Sequence, residues 1–199
     1  MKKLILLIIL SGLWHNAHPQ IHAGAGQYYY MGEGQTFTFV PVIYFQTSNN
    51  WYMEGRYNYE AMKTISVYAG RTFEKTSAVS YSASPVAGAV MGRFNGGSIG
   101  VNGEADYKRY FFSSQLQYTF SVEDRTENFM YSWSDLSFQA LNNIYAGFSV
   151  QQTNLYKERC KLEKGVFLKA LFNKWSLPLY VFNPGARERY FVLGLTYDW

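Results

Sequence analysis

Apolar and polar residues alternate with a period of two along most of the chain. Phe37, Phe39, Ile43 and Phe45 share one parity, with Thr36, Thr38 and Tyr44 on the other. Trp51, Met53, Tyr57 and Tyr59 alternate with Tyr52, Glu54, Arg56, Asn58 and Glu60. Ile99, Val101, Ala105 and Tyr107 alternate with Asn102, Glu104, Asp106 and Lys108. The same holds for Leu116, Tyr118, Phe120 and Val122 against Gln115, Gln117, Thr119 and Ser121, and for Ile144, Ala146, Phe148 and Val150 against Tyr145, Ser149, Gln151 and Thr153. Successive side chains of a strand point to opposite faces, so this pattern predicts strands with one apolar and one polar face. No helical stripe of comparable length competes with it.

Eleven strands follow: 36–45, 51–60, 64–74, 80–92, 98–108, 111–122, 129–140, 144–154, 165–172, 175–182 and 189–199. Two of them are irregular. Phe129, Tyr131 and Trp133 share one parity, and Leu136, Phe138 and Ala140 the other; a bulge near Ser134-Asp135 would reconcile them. Around Pro85 the apolar residues prefer neither face, which predicts a bulge or bend there. Between Phe172 and Trp175 the phase breaks at Asn173-Lys174, as a two-residue hairpin turn requires.

Counting back by twos from Trp199 gives Tyr197, Leu195, Leu193 and Phe191, all apolar or aromatic. This strand resembles the C-terminal strand of bacterial outer-membrane β-barrel proteins. The resemblance implies that Phe191, Leu193, Leu195, Tyr197 and Trp199 form a signal read by the barrel-assembly machinery. At the other end, Met1-Lys2-Lys3 precedes an apolar stretch from Leu4 to Trp14. Its length suits a secretory signal peptide and falls short of a spanning helix. Cleavage is expected after Ala17, or as late as Ala25 in Ala23-Gly24-Ala25. A barrel domain over 26–199 follows. Together these features resemble the small outer-membrane barrels of Gram-negative bacteria to which no activity is assigned.

A sheet crossing a bilayer must satisfy its backbone internally, so it closes, and its strands need about 9–11 residues. Trp51, Trp133, Trp175 and Trp199 lie near strand ends, where interfacial aromatic girdles sit. A secreted soluble barrel or sandwich with its apolar face inward would alternate in the same way. The terminal strand and the aromatic apolar face favour the membrane.

With Trp199 in the periplasm, 183–188, 155–164 and 123–128 become external loops, and 173–174 and 141–143 periplasmic turns. Carried back, the parity asks for one more strand. Gln27 to Met31 supply it, with 32–35 as the turn. The fold expected is all-β: a transmembrane antiparallel up-and-down β-barrel of twelve strands, monomeric, in the outer membrane. Ten strands remain if the Pro85 region or the N-terminus does not pair.

Composition excludes several other classes. Aromatic residues make up 19% and charged residues 16% of the 199, which rules out disorder. Mean hydropathy is −0.21, against a bundle of membrane helices. One Cys excludes a disulfide framework or a Cys-based zinc site. The net charge of +4 halves once Lys2 and Lys3 leave with the signal, and no basic run remains to bind nucleic acid.

Catalytic chemistry finds little support. Enzymatic barrels of this size act as lipid A deacylases, acyltransferases, phospholipases or proteases, generally with a His as base. The three histidines here, His15, His18 and His22, all fall before the expected barrel, in a tail where two of them make a poor metal site. Cys160 lies between Arg159 and Lys161, which would favour its thiolate; as a loop residue it is more simply a bystander. No cofactor, no metal and no enzymatic activity are expected.

The polar parity is what remains. In a barrel it places Glu54, Arg56, Asn58, Glu60, Asn102, Glu104, Asp106, Lys108, Gln115, Gln117 and Lys169 toward the lumen. Opposite charges there can simply pair and rigidify the barrel, or they can line a path for small solutes. Tyr44, Tyr52, Tyr68, Tyr145, Phe167 and Leu171 share that parity and narrow it. The expected function is a narrow or gated pore. The alternatives are a non-conducting structural or ligand-binding barrel that uses its external loops, and a lipid-modifying enzyme.

Overall fold

The computed structural model describes residues 22–32, 37–155 and 160–199. The expected signal peptide over 1–17, His15, His18 and most of the 32–35 turn lie outside these. The described residues form twelve strands: β1 (His22–Gly32), β2 (Thr38–Gln46), β3 (Trp51–Tyr57), β4 (Thr64–Arg71, resumed as Phe73–Lys75), β5 (Ser80–Gly92), β6 (Gly96–Tyr107), β7 (Tyr110–Ser121), β8 (Phe129–Leu141), β9 (Ile144–Leu155), β10 (Lys161–Phe172), β11 (Trp175–Phe182) and β12 (Tyr190–Asp198). Each pairs antiparallel with its sequence neighbours. β12 returns to β1 through pairs such as Gly194↔Tyr28, so the sheet closes. Closure removes both edges. The expectation of a twelve-stranded antiparallel barrel holds.

The orientation of the two faces identifies the kind of barrel. Ile43, Ile65, Val67, Ile99, Phe148, Leu168 and Leu179 all point outward and are exposed, Phe148 by 70%. Thr64, Ser66, Ser98, Thr119, Ser137 and Ser149 point inward and are buried. An apolar exterior around a polar interior is the arrangement of a transmembrane barrel, and it excludes the soluble alternative.

The two rims differ. His22 and Trp199 lie at one of them, the terminal rim, where turns are short: residues 47–50, 76–79, 108–109, 142–143 and 173–174. Asn50, Lys108 and Asn173 take left-handed φ values of 62°, 57° and 56° in these turns. The opposite, loop rim carries longer connections, including 58–63, 122–128 and 183–189. Trp51, Trp175 and Trp199 stand exposed at the terminal rim.

Several local expectations change. β1 is longer than Gln27 to Met31, and His22, expected in a tail, pairs with Gln46. β10 begins at Lys161, so its first four residues belong to a strand rather than to the 155–164 loop. No bulge interrupts β8 at Ser134-Asp135, which pair in continuous register with Val150 and Ser149. The register shifts instead at Ile144/Tyr145, beside the 142–143 turn. Phe129, Tyr131 and Trp133 therefore face inward, and Trp133 belongs to the lumen rather than to a girdle.

Near Pro85, β5 runs unbroken for 13 residues and its partner is interrupted instead. The β4–β5 ladder skips Arg71 and Thr72 between Gly70↔Val86 and Phe73↔Ala83. Pro85 has no N–H to donate at this point. Next to the gap, Gly88 lets the Tyr68 ring lie across it, because a Cβ there would stand 2.5 Å from the ring.

Candidate functional site

Inward side chains from eleven of the strands surround a cavity of about 710 Å³. Glu74, Ser82, Glu104 and Asp198 line it toward the terminal rim; Glu54, Arg56, Tyr59 and Gln115 line its far side. It also takes in Tyr44, Trp133, Asp135 and Lys169. Asp198 accepts a hydrogen bond from the Tyr44 hydroxyl.

Beyond the cavity, toward the loop rim, the interior is filled by two clusters. The first is built on Arg56, 3% exposed. Glu54 and Arg56 sit two apart on one face of β3, so their side chains meet. Arg56 Nε and Nη2 donate to the two carboxylate oxygens of Glu54 at 2.7 and 3.0 Å. Nη1 donates to Glu60 Oε1 at 3.3 Å and to Gln117 Oε1 at 2.8 Å. The guanidinium lies 4.4 Å from the ring centroids of both Tyr59 and Tyr68. Turned with its oxygen toward Arg56, the Gln115 amide accepts from Nη1 and Nη2 at 2.8 and 2.7 Å. Glu60 also accepts from Tyr68 at 2.7 Å and from Ser66. Every charge in this cluster is paired and hydrogen-bonded, as burial demands.

Glu60 reaches this position through the connection between β3 and β4. Asn58 adopts a left-handed φ of 58°. Its side chain donates to Phe39 O at 3.0 Å and accepts from Lys63 N at 2.7 Å. The chain turns there and folds inward, carrying both Tyr59 and Glu60 into the lumen.

The second cluster is aromatic. Phe182 stacks between Tyr180 and Tyr190, with centroids at 5.9 and 5.0 Å. Trp133 meets Tyr180 edge-on at 5.2 Å. Asp135 anchors its cavity side, accepting from Trp133 Nε1 and Tyr180 OH at 2.9 Å each and from Ser149 Oγ at 2.6 Å. Tyr59 and Tyr131, edge-on at 5.8 Å, bridge the two clusters.

No protein-family model and no curated protein matches the chain. Solved structures do. A KdgM porin superposes with a TM-score of 0.65 at 14% identity, over 88% of this chain and 99% of the other. A NanC porin gives 0.64 at 9%, over 88% and 98%. The Acinetobacter baumannii protein OccAB4 gives 0.52 at 10%, over 93% of this chain and 63% of its own. The chain has a porin fold. At these identities the likeness is one of fold alone.

Within this porin fold the residues expected in the lumen separate into groups. Glu54, Arg56, Asn102, Glu104, Gln115 and Lys169 line the cavity. Glu60 and Gln117 are in the Arg56 cluster. Asp106 shares the inward face of β6 with Glu104 and is exposed near the rim, outside the cavity lining. Asn58 and Lys108 do not face the lumen: both take left-handed turn conformations, and Lys108 Nζ lies over the Tyr107 ring at 5.1 Å. Tyr59, Trp133, Asp135, Asp198 and His22 line the cavity without having been expected there. With no bulge at Ser134-Asp135, the parity of Asp135 and Ser137 extends backwards along β8 to Trp133. No pattern in the sequence marks the inward fold at Asn58. Cys160 is exposed and free. Among the described residues no group of three His, Cys, Asp or Glu could hold a metal ion.

Proposed function

We propose that this protein is an outer-membrane porin with a narrow pathway for small solutes, restricted by the Arg56 and aromatic clusters. The observation that carries the reading is the cavity of about 710 Å³, lined as far as the terminal rim by His22, Gln46 and Asp198 and bordered toward the loop rim by buried side chains. Twelve strands enclose an interior between the filled eight-stranded barrels and the open sixteen-stranded porins. The fold shared with KdgM and NanC supports a channel rather than an enzyme. The short turns at the terminal rim support its assignment to the periplasm, with the longer connections outside. The closed ring supports a monomer. Phe191, Leu193, Leu195 and Tyr197 lie on one face of β12, in keeping with a role for that strand in assembly.

One KdgM structure was solved in complex with disordered oligogalacturonate, a polyanion. That solute is not carried over, because carboxylates outnumber cationic side chains around this cavity.

Planar-bilayer recording tests the pore. The refolded wild-type barrel is expected to give small, discrete current steps. The Tyr59→Ala/Tyr131→Ala variant, which removes the bridge between the clusters, is expected to give steps several-fold larger. The packed loop half also favours a second reading, a non-conducting barrel that works through its external connections. Silence from both folded proteins would establish that reading in place of the first.

A further inference from the structure

Resting on the porin reading, we infer that the cavity selects small organic cations, ammonium compounds in particular, over anions. Five carboxylates line it: Glu54, Glu74, Glu104, Asp135 and Asp198; apart from the titratable His22, only Arg56 and Lys169 oppose them. Arg56 is already committed to Glu54 and Glu60. The remaining carboxylates therefore outnumber the single remaining cation. A cleft lined by one sign of charge within low-dielectric walls concentrates counter-ions.

The walls supply the second element. Tyr28, Tyr44, Tyr52, Phe111 and Trp133 line the same cavity. Aromatic faces attract cations through the ring quadrupole and do not attract anions in the same way. The protein also displays such a seat in use. The Lys169 ammonium lies 4.7 Å from the Phe111 ring centroid and 5.0 Å from that of Tyr145. Lys169 and Glu104 line the cavity together, so a tethered ammonium already occupies the surroundings a free one would find. Arg56 between Tyr59 and Tyr68 repeats the motif at the far side. An aromatic and acidic cavity thus holds cations at two places, and the carboxylates outside the Arg56 cluster, Glu74, Glu104, Asp135 and Asp198 against Lys169, are placed to attract a third.

Two arms test this. The first is equilibrium binding by calorimetry to the refolded full barrel in detergent, with tetraethylammonium and glucuronate as probes. Saturable binding of tetraethylammonium and none of glucuronate is expected. Glu104→Gln should weaken that binding several-fold, and Glu104→Gln/Asp198→Asn further. Should the double variant fail to fold for lack of the Tyr44 contact, Glu104→Gln alone carries the comparison. The second arm is the reversal potential in a potassium chloride gradient. Potassium should permeate about tenfold more readily than chloride, and Glu104→Gln should reduce that ratio. Glucuronate binding as well as tetraethylammonium, or chloride-selective current, overturns the inference and leaves the pore intact. A silent bilayer beside selective tetraethylammonium binding overturns the pore and keeps the cation site.

Discussion

Replacing Arg56 with Met will destabilise the barrel by about 3–5 kcal/mol, the scale seen when one partner of a buried ion pair is removed. The loss comes less from the missing attraction than from what stays behind. Glu54 and Glu60 would remain in the interior, stripped of the guanidinium that now donates to both. Gln117 would lose its Arg56 donor as well. Urea unfolding of the refolded protein, followed by the heat shift on a gel, measures the effect. The variant Arg56→Met/Glu54→Gln/Glu60→Gln separates the causes. It replaces charges by neutral groups of similar size and should recover most of the loss, because a buried pair removed whole costs far less than one broken. If the triple variant is as unstable as the single one, the packing of Arg56 between Tyr59 and Tyr68 matters more than its charge.

Leu168→Arg is the second large effect expected. Leu168 is 58% exposed and stands in register with Leu179 of β11, which pairs with Leu193 of β12. All three are outward and near the middle of their strands. In a bilayer, an Arg at mid-depth on the lipid face costs about 2–4 kcal/mol. Val122→Arg, at a residue still more exposed and beyond the end of β7, should cost close to nothing. On a soluble barrel both substitutions would fall within about 0.5 kcal/mol of neutral. Equal, small effects in lipid vesicles would therefore contradict the membrane-facing assignment of the outer surface.

Those two substitutions probe faces that were not equally legible in the sequence. The outer face could be read directly, because lipid demands apolar side chains at every second position. Eleven strands and the turn at Asn173 followed from that demand; the twelfth strand and the strand directions also required Trp199 to be placed in the periplasm. The inner face carries no such demand. A lumen accepts Ser98, Glu104 or Trp133 alike, provided polar atoms find partners. Aromatic residues at 129, 131 and 133 therefore resemble a lipid face when read by composition. Only continuous register with β9, through Asp135↔Ser149, assigns them inward. A shift of one residue flips every side chain of a strand, so this is where pattern reading is least secure. The Glu54–Arg56 pair was accessible because its partners lie on one strand. The inward fold at Asn58 was not, since it depends on a contact with Phe39 on the neighbouring strand β2.

A lumen that is accessible from the terminal rim and stops at the Arg56 cluster is tested most directly by cysteine labelling. In a Cys160→Ser background, Ser82→Cys lies on the cavity wall, whereas Ser98→Cys and Thr119→Cys lie in the packed half. With a water-soluble methanethiosulfonate reagent, Ser82→Cys should react quickly and the other two at least tenfold more slowly. Adding Tyr59→Ala/Tyr131→Ala should speed the slow pair. Equal rates at all three positions in the otherwise unaltered barrel would mean that the lumen is open from rim to rim, and that the Arg56 and aromatic clusters do not restrict it.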